Sequence, residues 1–302
     1  MRDAVIEREG GADEQGRPVD DVLVGHWTDT TNRTGCTVIV LPGSRPTVVD
    51  ARGGAPGTRE TDVLAVSNLV RRADAIVLSG GSAFGLATAD GVMLALRERG
   101  RGFPTTGGPV PIVPAAVLFD LSAGNPVWPD AAAGRAALNA AVPIGLAERG
   151  RVGAGTGATV ARLTGSPRPG GLGIATVSLG PGNVTAVMAV NAVGSVDGTD
   201  PRDSMLEAWS TDGPRMGIGE NTTIGVVIVD APVDHLALTR CAIAAHDGLA
   251  RAIVPSHTIF DGDTIFVSGL QDGAPDAMAI ARLGVATELA VERAVRDAVA
   301  QR

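Results

Sequence analysis

The sequence predicts an α+β fold in which layered sheets are flanked by helices. Strand and helix candidates are grouped along the chain more than they alternate, which disfavours a doubly wound parallel sheet. The 302 residues are 44% hydrophobic and 19% charged, enough to bury one large core or two modest ones, and the chain is expected to form a single catalytic domain. Forty-one glycines and nineteen prolines, with 3% aromatic residues and no tyrosine, call for many tight turns and for cores built from Ala, Val, Ile and Leu.

The first twenty residues, MRDAVIEREGGADEQGRPVD, carry acidic side chains and no apolar run. They are expected to be a flexible N-terminus, not a signal peptide. Residues Asp21 to Trp27, Cys36 to Leu41 and Thr47 to Asp50 read as short strands between Gly, Pro, Asn and Thr turns. ADAIVLSGGSAFGLATADGVMLALRERG then gives an apolar strand, a glycine turn and an amphipathic helix from about Ser82 to Glu98. PIVPAAVLFD suits another strand, and Ala131 to Leu138 a helix. Leu172 to Leu179 and Thr185 to Val193 are spaced as a hairpin around GPGN. The Asp-, Gly-, Pro- and Ser-rich stretch 194–220 reads as a long mobile loop, a length that in a compact domain is usually functional or disordered. Beyond it the pattern gives a strand Thr223 to Val229, a helix His235 to Ile253, a strand Thr264 to Gly269 and a closing helix from about Asp276 to Val299.

Several function classes are disfavoured. A net charge of −8 and few aromatic residues leave neither a basic footprint nor stacking platforms for nucleic acid. The basic run Arg97 to Arg101 is expected to be a solvated helix end. No stretch approaches the apolar length of a membrane span. Cys36 and Cys241 stand in no metal or redox spacing and read as buried free thiols of a cytoplasmic protein. His26, His235, His246 and His257 show no metal-ligand spacing and are expected to be structural or exposed, so neither a metal nor another cofactor is expected. No GxSxG elbow supports an α/β-hydrolase serine.

Three stretches carry candidate chemistry. In LSGGSAFGL a strand delivers Gly80, Gly81 and Ser82 into a helix N-terminus, a place where backbone N–H groups suit an anion or an oxyanion. In HTIFDGDTIF, Asp261 and Asp263 flank Gly262 before a strand. They could hold a metal, orient a nucleophile, share a proton, or form only an Asp-Gly turn. In GENTTIGVV, Asn221 and Thr222 open a strand behind a glycine run. A threonine hydroxyl is a poor nucleophile without a base, and a free α-amine on the same residue supplies one once the preceding peptide bond is cut. The hydroxyl of Thr222 can attack the Asn221 carbonyl, shift the acyl group from N to O, and leave an ester for water.

SGGSAFGLATADGV, GAGTGATVARL, NAVGSV, GENTTIGVV and TIFDGDTIF together, in this order, resemble the DmpA-type aminopeptidase and nylon-oligomer hydrolase (NylC) family over about residues 20–300. The resemblance implies an N-terminal-nucleophile hydrolase with an αββα sandwich, made as one precursor and self-cleaved. The cut would fall between Asn221 and Thr222, giving chains 1–221 and 222–302 that stay together. Thr222 would be the nucleophile and its new amine the base, with Asp261 and Asp263 as its partners. That pair resembles the nylon-oligomer branch, which uses Thr with two aspartates, more than the peptidase branch, which uses Ser with a Ser and a Glu. Asn191 matches the asparagine that stabilises the oxyanion. Arg162 stands where the family has lysine, a fixed charge in place of a titratable amine, and Phe84 replaces the family's tyrosine, removing a hydroxyl.

The implied reaction is hydrolysis of small linear amides, short peptides or 6-aminohexanoate oligomers, through an acyl-Thr222 ester. An N-terminal aminopeptidase or D-amino-acid esterase-amidase of the DmpA type, an acyltransferase, and a binding module without processing are the alternatives. The expected partners are the amide substrate and further copies of the chain in a homotetramer.

Overall fold

The computed structural model describes residues 21–162, 167–180, 182–196, 198–211 and 221–300. The expected flexible segment 1–20 and the glycine run before Asn221 lie outside these residues. Strands β1 (Leu23–Asp29) and β2 (Thr34–Ala51) form a hairpin from Leu23↔Val40 to Asp29↔Thr34. The 18-residue β2 fuses two strands that the sequence suggests separately. The turn residues between them, Pro42 and Gly43, do not end the strand. They mark a register shift between Val40 and Arg45, with Gly43 in the left-handed region at φ 79°.

That irregularity lets one strand serve two sheets. Its first part pairs with β4 (Arg72–Ser79), and the first sheet continues through β5 (Ala115–Val117) to β3 (Gly57–Arg59), with β6 (Val142–Pro143) on β1. Its last residues, Thr47 to Ala51, pair with β12 (Thr264–Asp272). The second sheet then runs through β11 (Thr222–Val233) and β10 (Asn183–Asn191) to β9 (Gly171–Ser178). β9 and β10 form the expected hairpin, and β7 (Thr159–Val160) with β8 (Arg168–Pro169) forms a small separate ribbon.

Helices cover both outer faces. α1 (Thr88–Glu98) and α2 (Ala131–Asn139) pack Val92, Leu96, Ala137 and Leu138 against Val38, Val40, Ala75 and Val77 of the first sheet. α4 (His235–Ala252) and α5 (Ala277–Ala300) cover Met188, Val190, Val227, Val229 and Val267 of the second. Between the sheets lie Ile39, Leu41, Ile76, Leu78, Val187, Ala189, Ile224, Val226 and Phe266. The result is helix, sheet, sheet, helix, the expected αββα sandwich. With both faces buried, the strands read as near-continuous apolar runs. Strand periodicity sends Ile224, Val226 and Ile228 between the sheets and Val227 and Val229 outward to the helices. By the same alternation Thr222 and Asn191 belong to the inner set.

Asp130, Asp234 and Asp276 cap α2, α4 and α5, accepting from Ala133, Ala237 and Ala279 N–H at 2.8–2.9 Å. The helix expected from Ser82 begins as a 3₁₀ turn, Ser82–Ala87. The stretch expected as a loop, 194–220, contains α3 (Arg202–Thr211), while residues 212–220 lie outside the described set. The basic run after α1 ties loops down: Arg97 donates to the Gly107 and Pro109 carbonyls and Arg101 to those of Leu41 and Asp74. Cys36 and Cys241 are buried free thiols, and burial pushes the Cys36 thiol up to about 12. No helix among the described residues is long and apolar enough to cross a membrane.

Candidate active site

The site forms where β11 begins. Asn221 bridges Asp261 in parallel just before the β11–β12 ladder starts, so Thr222 is inside one sheet at a strand end. Asn221, Thr222, Asp261, Asp263 and Asn191 are each no more than 2% exposed. The Thr222 hydroxyl donates to the Asn221 carbonyl oxygen. The same oxygen accepts the Gly262 backbone N–H at 3.0 Å. The Thr222 hydroxyl and a backbone N–H donor thus both lie against the carbonyl of the Asn221–Thr222 peptide.

The Asp-Gly-Asp spacing is explained by this contact. A Cβ at Gly262 would lie 2.8 Å from Thr222 Oγ1 and 2.6 Å from the Ala55 carbonyl, closer than side chains tolerate. Gly262 therefore lets the turn pass directly over the hydroxyl, with a carboxylate on each side. Asp263 accepts the Thr223 N–H on Oδ1 at 2.8 Å. Its Oδ2 accepts from His257 twice, from the backbone N–H at 3.1 Å and from Nδ1 at 2.8 Å. Asp261 accepts the Thr258 N–H at 2.9 Å and the Thr258 hydroxyl at 2.6 Å on Oδ2, with a longer contact from Val193 N–H at 3.4 Å on Oδ1. Burial, and next the negative charge of Asp263, push the Asp261 carboxyl up to about 6.

Asn191 stands opposite Thr222 in the β10–β11 ladder. Directly opposed residues put their side chains on one face within contact distance. Its Oδ1 accepts the Thr159 N–H at 2.9 Å, and its Nδ2 donates to the Phe119 carbonyl at 3.0 Å. The amide is thereby held with a known orientation beside the hydroxyl. Arg162 is one step removed: its Nε donates to Thr159 Oγ1 at 2.8 Å, so it acts on Asn191 through Thr159.

The glycine turn joins this cluster less directly than the sequence suggests. The N–H groups of Gly80, Gly81 and Ser82 donate to the Gly35 carbonyl, to Asp120 Oδ1 and to the Leu118 carbonyl, at 2.9, 2.7 and 2.9 Å. They are engaged within the fold and do not form the open anion cradle expected of a helix N-terminus. Burial pushes the Asp120 carboxyl up to about 6. Phe84 reaches the surface, 55% exposed, and stacks on Trp128 with ring centroids 4.3 Å apart.

Sequence reasoning missed Thr159 and Thr258, which fix Asn191 and Asp261, and it set the histidines aside. His257 lies four residues before Asp261, within the same motif, and that proximity was the available signal. Among the described residues no three His, Cys, Asp or Glu side chains gather into a site that could hold a metal.

Comparison with known proteins adds the family context. The sequence profile of Peptidase family S58 matches residues 18–301. A Mycobacterium leprae protein described as an uncharacterized aminopeptidase is 44% identical over 276 residues, 83% of this chain and 74% of its own. A 6-aminohexanoate-oligomer endohydrolase from Agromyces sp. is 35% identical, covering 77% of this chain and 68% of its own. The solved structure of the L-aminopeptidase D-Ala-esterase/amidase of Ochrobactrum anthropi, described as a variant of the Ntn hydrolase fold, superposes with a TM-score of 0.70 at 20% identity, over 92% of this chain and 84% of its own. That likeness shows the fold.

Proposed function

The chain belongs to peptidase family S58, and on that premise we propose that it is a self-processing amide hydrolase whose nucleophile is Thr222. The observation that carries the reading is the meeting of the Thr222 hydroxyl and the Gly262 N–H on the Asn221 carbonyl oxygen. In the processing step Thr222 Oγ1 adds to the Asn221 carbonyl carbon, and the hydroxyl proton passes to the departing Thr222 nitrogen. The C–N bond breaks, and an ester joins Asn221 to the Thr222 oxygen. Water hydrolyses that ester, leaving chains 1–221 and 222–302.

The freed amine of Thr222 then serves as base for its own hydroxyl in turnover. Asp263 holds the strand start through Thr223, Asp261 supplies the second carboxylate, and Asn191 is the side-chain donor for the oxyanion. Arg162 orders Asn191 through Thr159. The acyl group rests on Thr222 as the leaving amine departs, and water releases it.

The substrates are small linear amides, either 6-aminohexanoate oligomers or short peptides. The Asp261 and Asp263 pair with Thr222 supports the oligomer reading, and the 35% identity to an oligomer endohydrolase points the same way. N-terminal aminopeptidase action is the second reading, favoured by the 44% identity to a described aminopeptidase. The exposed Phe84 and Trp128 pair is an apolar platform for such a substrate. Buried free thiols support a cytoplasmic setting. Exposed Val66 and Leu236, on a groove beside α4, support assembly into a tetramer, which light scattering would test.

Purified protein on a denaturing gel should show pieces of about three quarters and one quarter of the chain, and Thr222→Ala should abolish both the split and amide hydrolysis. A single full-length band with full activity would overturn the reading. Processed protein that moves acyl groups between amines without hydrolysing amides would make it a transferase.

A further inference from the structure

His257 has an unusual combination of features. Its backbone is left-handed, φ 56°, a conformation uncommon outside glycine, although His, Asn and Asp adopt it more often than other side chains. Such strain persists where the surroundings over-determine it. Here it turns the His257 N–H and Nδ1 onto the same atom, Asp263 Oδ2, at 3.1 and 2.8 Å. The ring form with a proton on Nδ1 is the one that donates to this carboxylate oxygen. The other oxygen of Asp263 holds the Thr223 N–H, next to the nucleophile.

Behind His257 sits His246 of α4, 1% exposed, its ring edge-on at 4.8 Å between centroids. His246 Nε2 donates to the Asp50 carbonyl at 3.0 Å. Burial pushes His246 down, and the carbonyl only partly opposes this. His257 Nε2 and His246 Nδ1 are both buried without a protein partner in this structure.

We propose that His257 is the positioning residue that fixes Asp263 against the start of β11, with the ring of His246 as its buried backing. This rests on the reading of Thr222 as the nucleophile. A carboxylate pinned on Oδ2 from one side aims Oδ1 at Thr223, and Thr222 is then held at the strand end through turnover. The charged and titratable groups that face His257 and Asp263 are Asp261 from the same turn, His246 from α4, Asp50 and Arg52 at the end of β2, and the Thr222 amine once it is free.

The test compares His257→Leu, which removes the side-chain donor, with His257→Asn, whose amide nitrogen occupies the Nδ1 position and whose backbone accepts the left-handed conformation. The readouts are the rate of self-processing on a denaturing gel and kcat, KM and pH profile on a linear 6-aminohexanoate oligomer and an aminoacyl-4-nitroanilide. The leucine variant should lose about ten- to a hundredfold in processing rate and kcat, the range that goes with one charge-assisted hydrogen bond, with KM little changed. Its acidic limb should move to higher pH, because a carboxylate deprived of a donor takes up a proton more readily. The asparagine variant should restore the rate to within a few-fold and leave the limb in place.

A leucine variant with wild-type rates and profile would overturn the proposal, as would an asparagine variant as slow as the leucine one. If His257→Leu does not fold, His257→Gln, whose amide lies one methylene too far out, replaces it with the same outcomes. A wild type that neither splits nor hydrolyses either probe would remove the Thr222 reading and this one with it. An active wild type with an indifferent leucine variant would remove this one alone.

Discussion

Asp261 sets a measurable pH dependence on stability. The group is 2% exposed and its carboxyl is raised from an ordinary 3.8 to about 6, first by burial and then by Asp263. A raised folded-state value means that the native chain binds the proton more tightly than the unfolded one. The stabilisation is therefore complete below about pH 4 and is lost as pH rises through 6. The difference corresponds to ~3 kcal/mol at 1.36 kcal/mol per pH unit. Asp261→Asn is neutral at every pH and keeps an acceptor for Thr258, but it sets an NH₂ group towards the Val193 N–H, a cost of about 1 kcal/mol. In a Thr222→Ala background, where both proteins are single unprocessed chains, urea unfolding should find Asp261→Asn less stable by about 1 kcal/mol at pH 4 and more stable by about 2 kcal/mol at pH 8. A difference that stays constant from pH 4 to pH 8 would refute the assignment of a buried, proton-binding carboxyl to this turn.

Gly262→Ala should block self-processing while leaving a folded precursor, since the added methyl meets Thr222 Oγ1 and the Ala55 carbonyl inside 3 Å; a gel of the purified variant reads the outcome. Thr159→Val removes the hydroxyl that links Arg162 to Asn191 but keeps the backbone N–H that holds Asn191. It should lower kcat/KM by about tenfold with an unchanged melting temperature. Gly173→Ala, far from the chemistry, should destabilise by about 2–3 kcal/mol in urea, because its Cβ would fall 1.9 Å from the Ala294 carbonyl where α5 lies on β9.

The apolar runs, the hairpin of β9 and β10, and the aspartates before α2, α4 and α5 were legible because local periodicity and capping determine them. The span of β2 across both sheets was not, because Pro42 and Gly43 carry the same letters in a turn and in a strand irregularity. In the site, Thr222, Asp261, Asp263 and Asn191 were named from the sequence and the structure brings them to one strand end. For His257 the sequence offers only its nearness to Asp261 and Asp263; that the chain turns left-handed there and directs two donors at one carboxylate oxygen is set by the fold. The amides of the glycine turn were over-read, because which partners they meet depends on Gly35, Leu118 and Asp120 from elsewhere in the chain.

The processing proposed between Asn221 and Thr222 is compatible with an intact fold. Residues 222–302 hold β11, α4, β12 and α5, which are not a domain of their own. β11 is laddered to β10 and β12 to β2, so each of the two strands borders a strand from residues 1–221. α5 lies on β9 and β10, and Ala294 and Ala298 approach the backbone of Gly171 and Gly173 directly. Separating the pieces would expose the intersheet layer at Ile224, Val226 and Phe266 together with the helix layer at Val227, Val229 and Val267. Burial on that scale would keep the pieces associated without the peptide bond. Breaking the Asn221–Thr222 bond would free only the start of β11, and the proposed mechanism requires an amine at that start, beside the buried Thr222 hydroxyl.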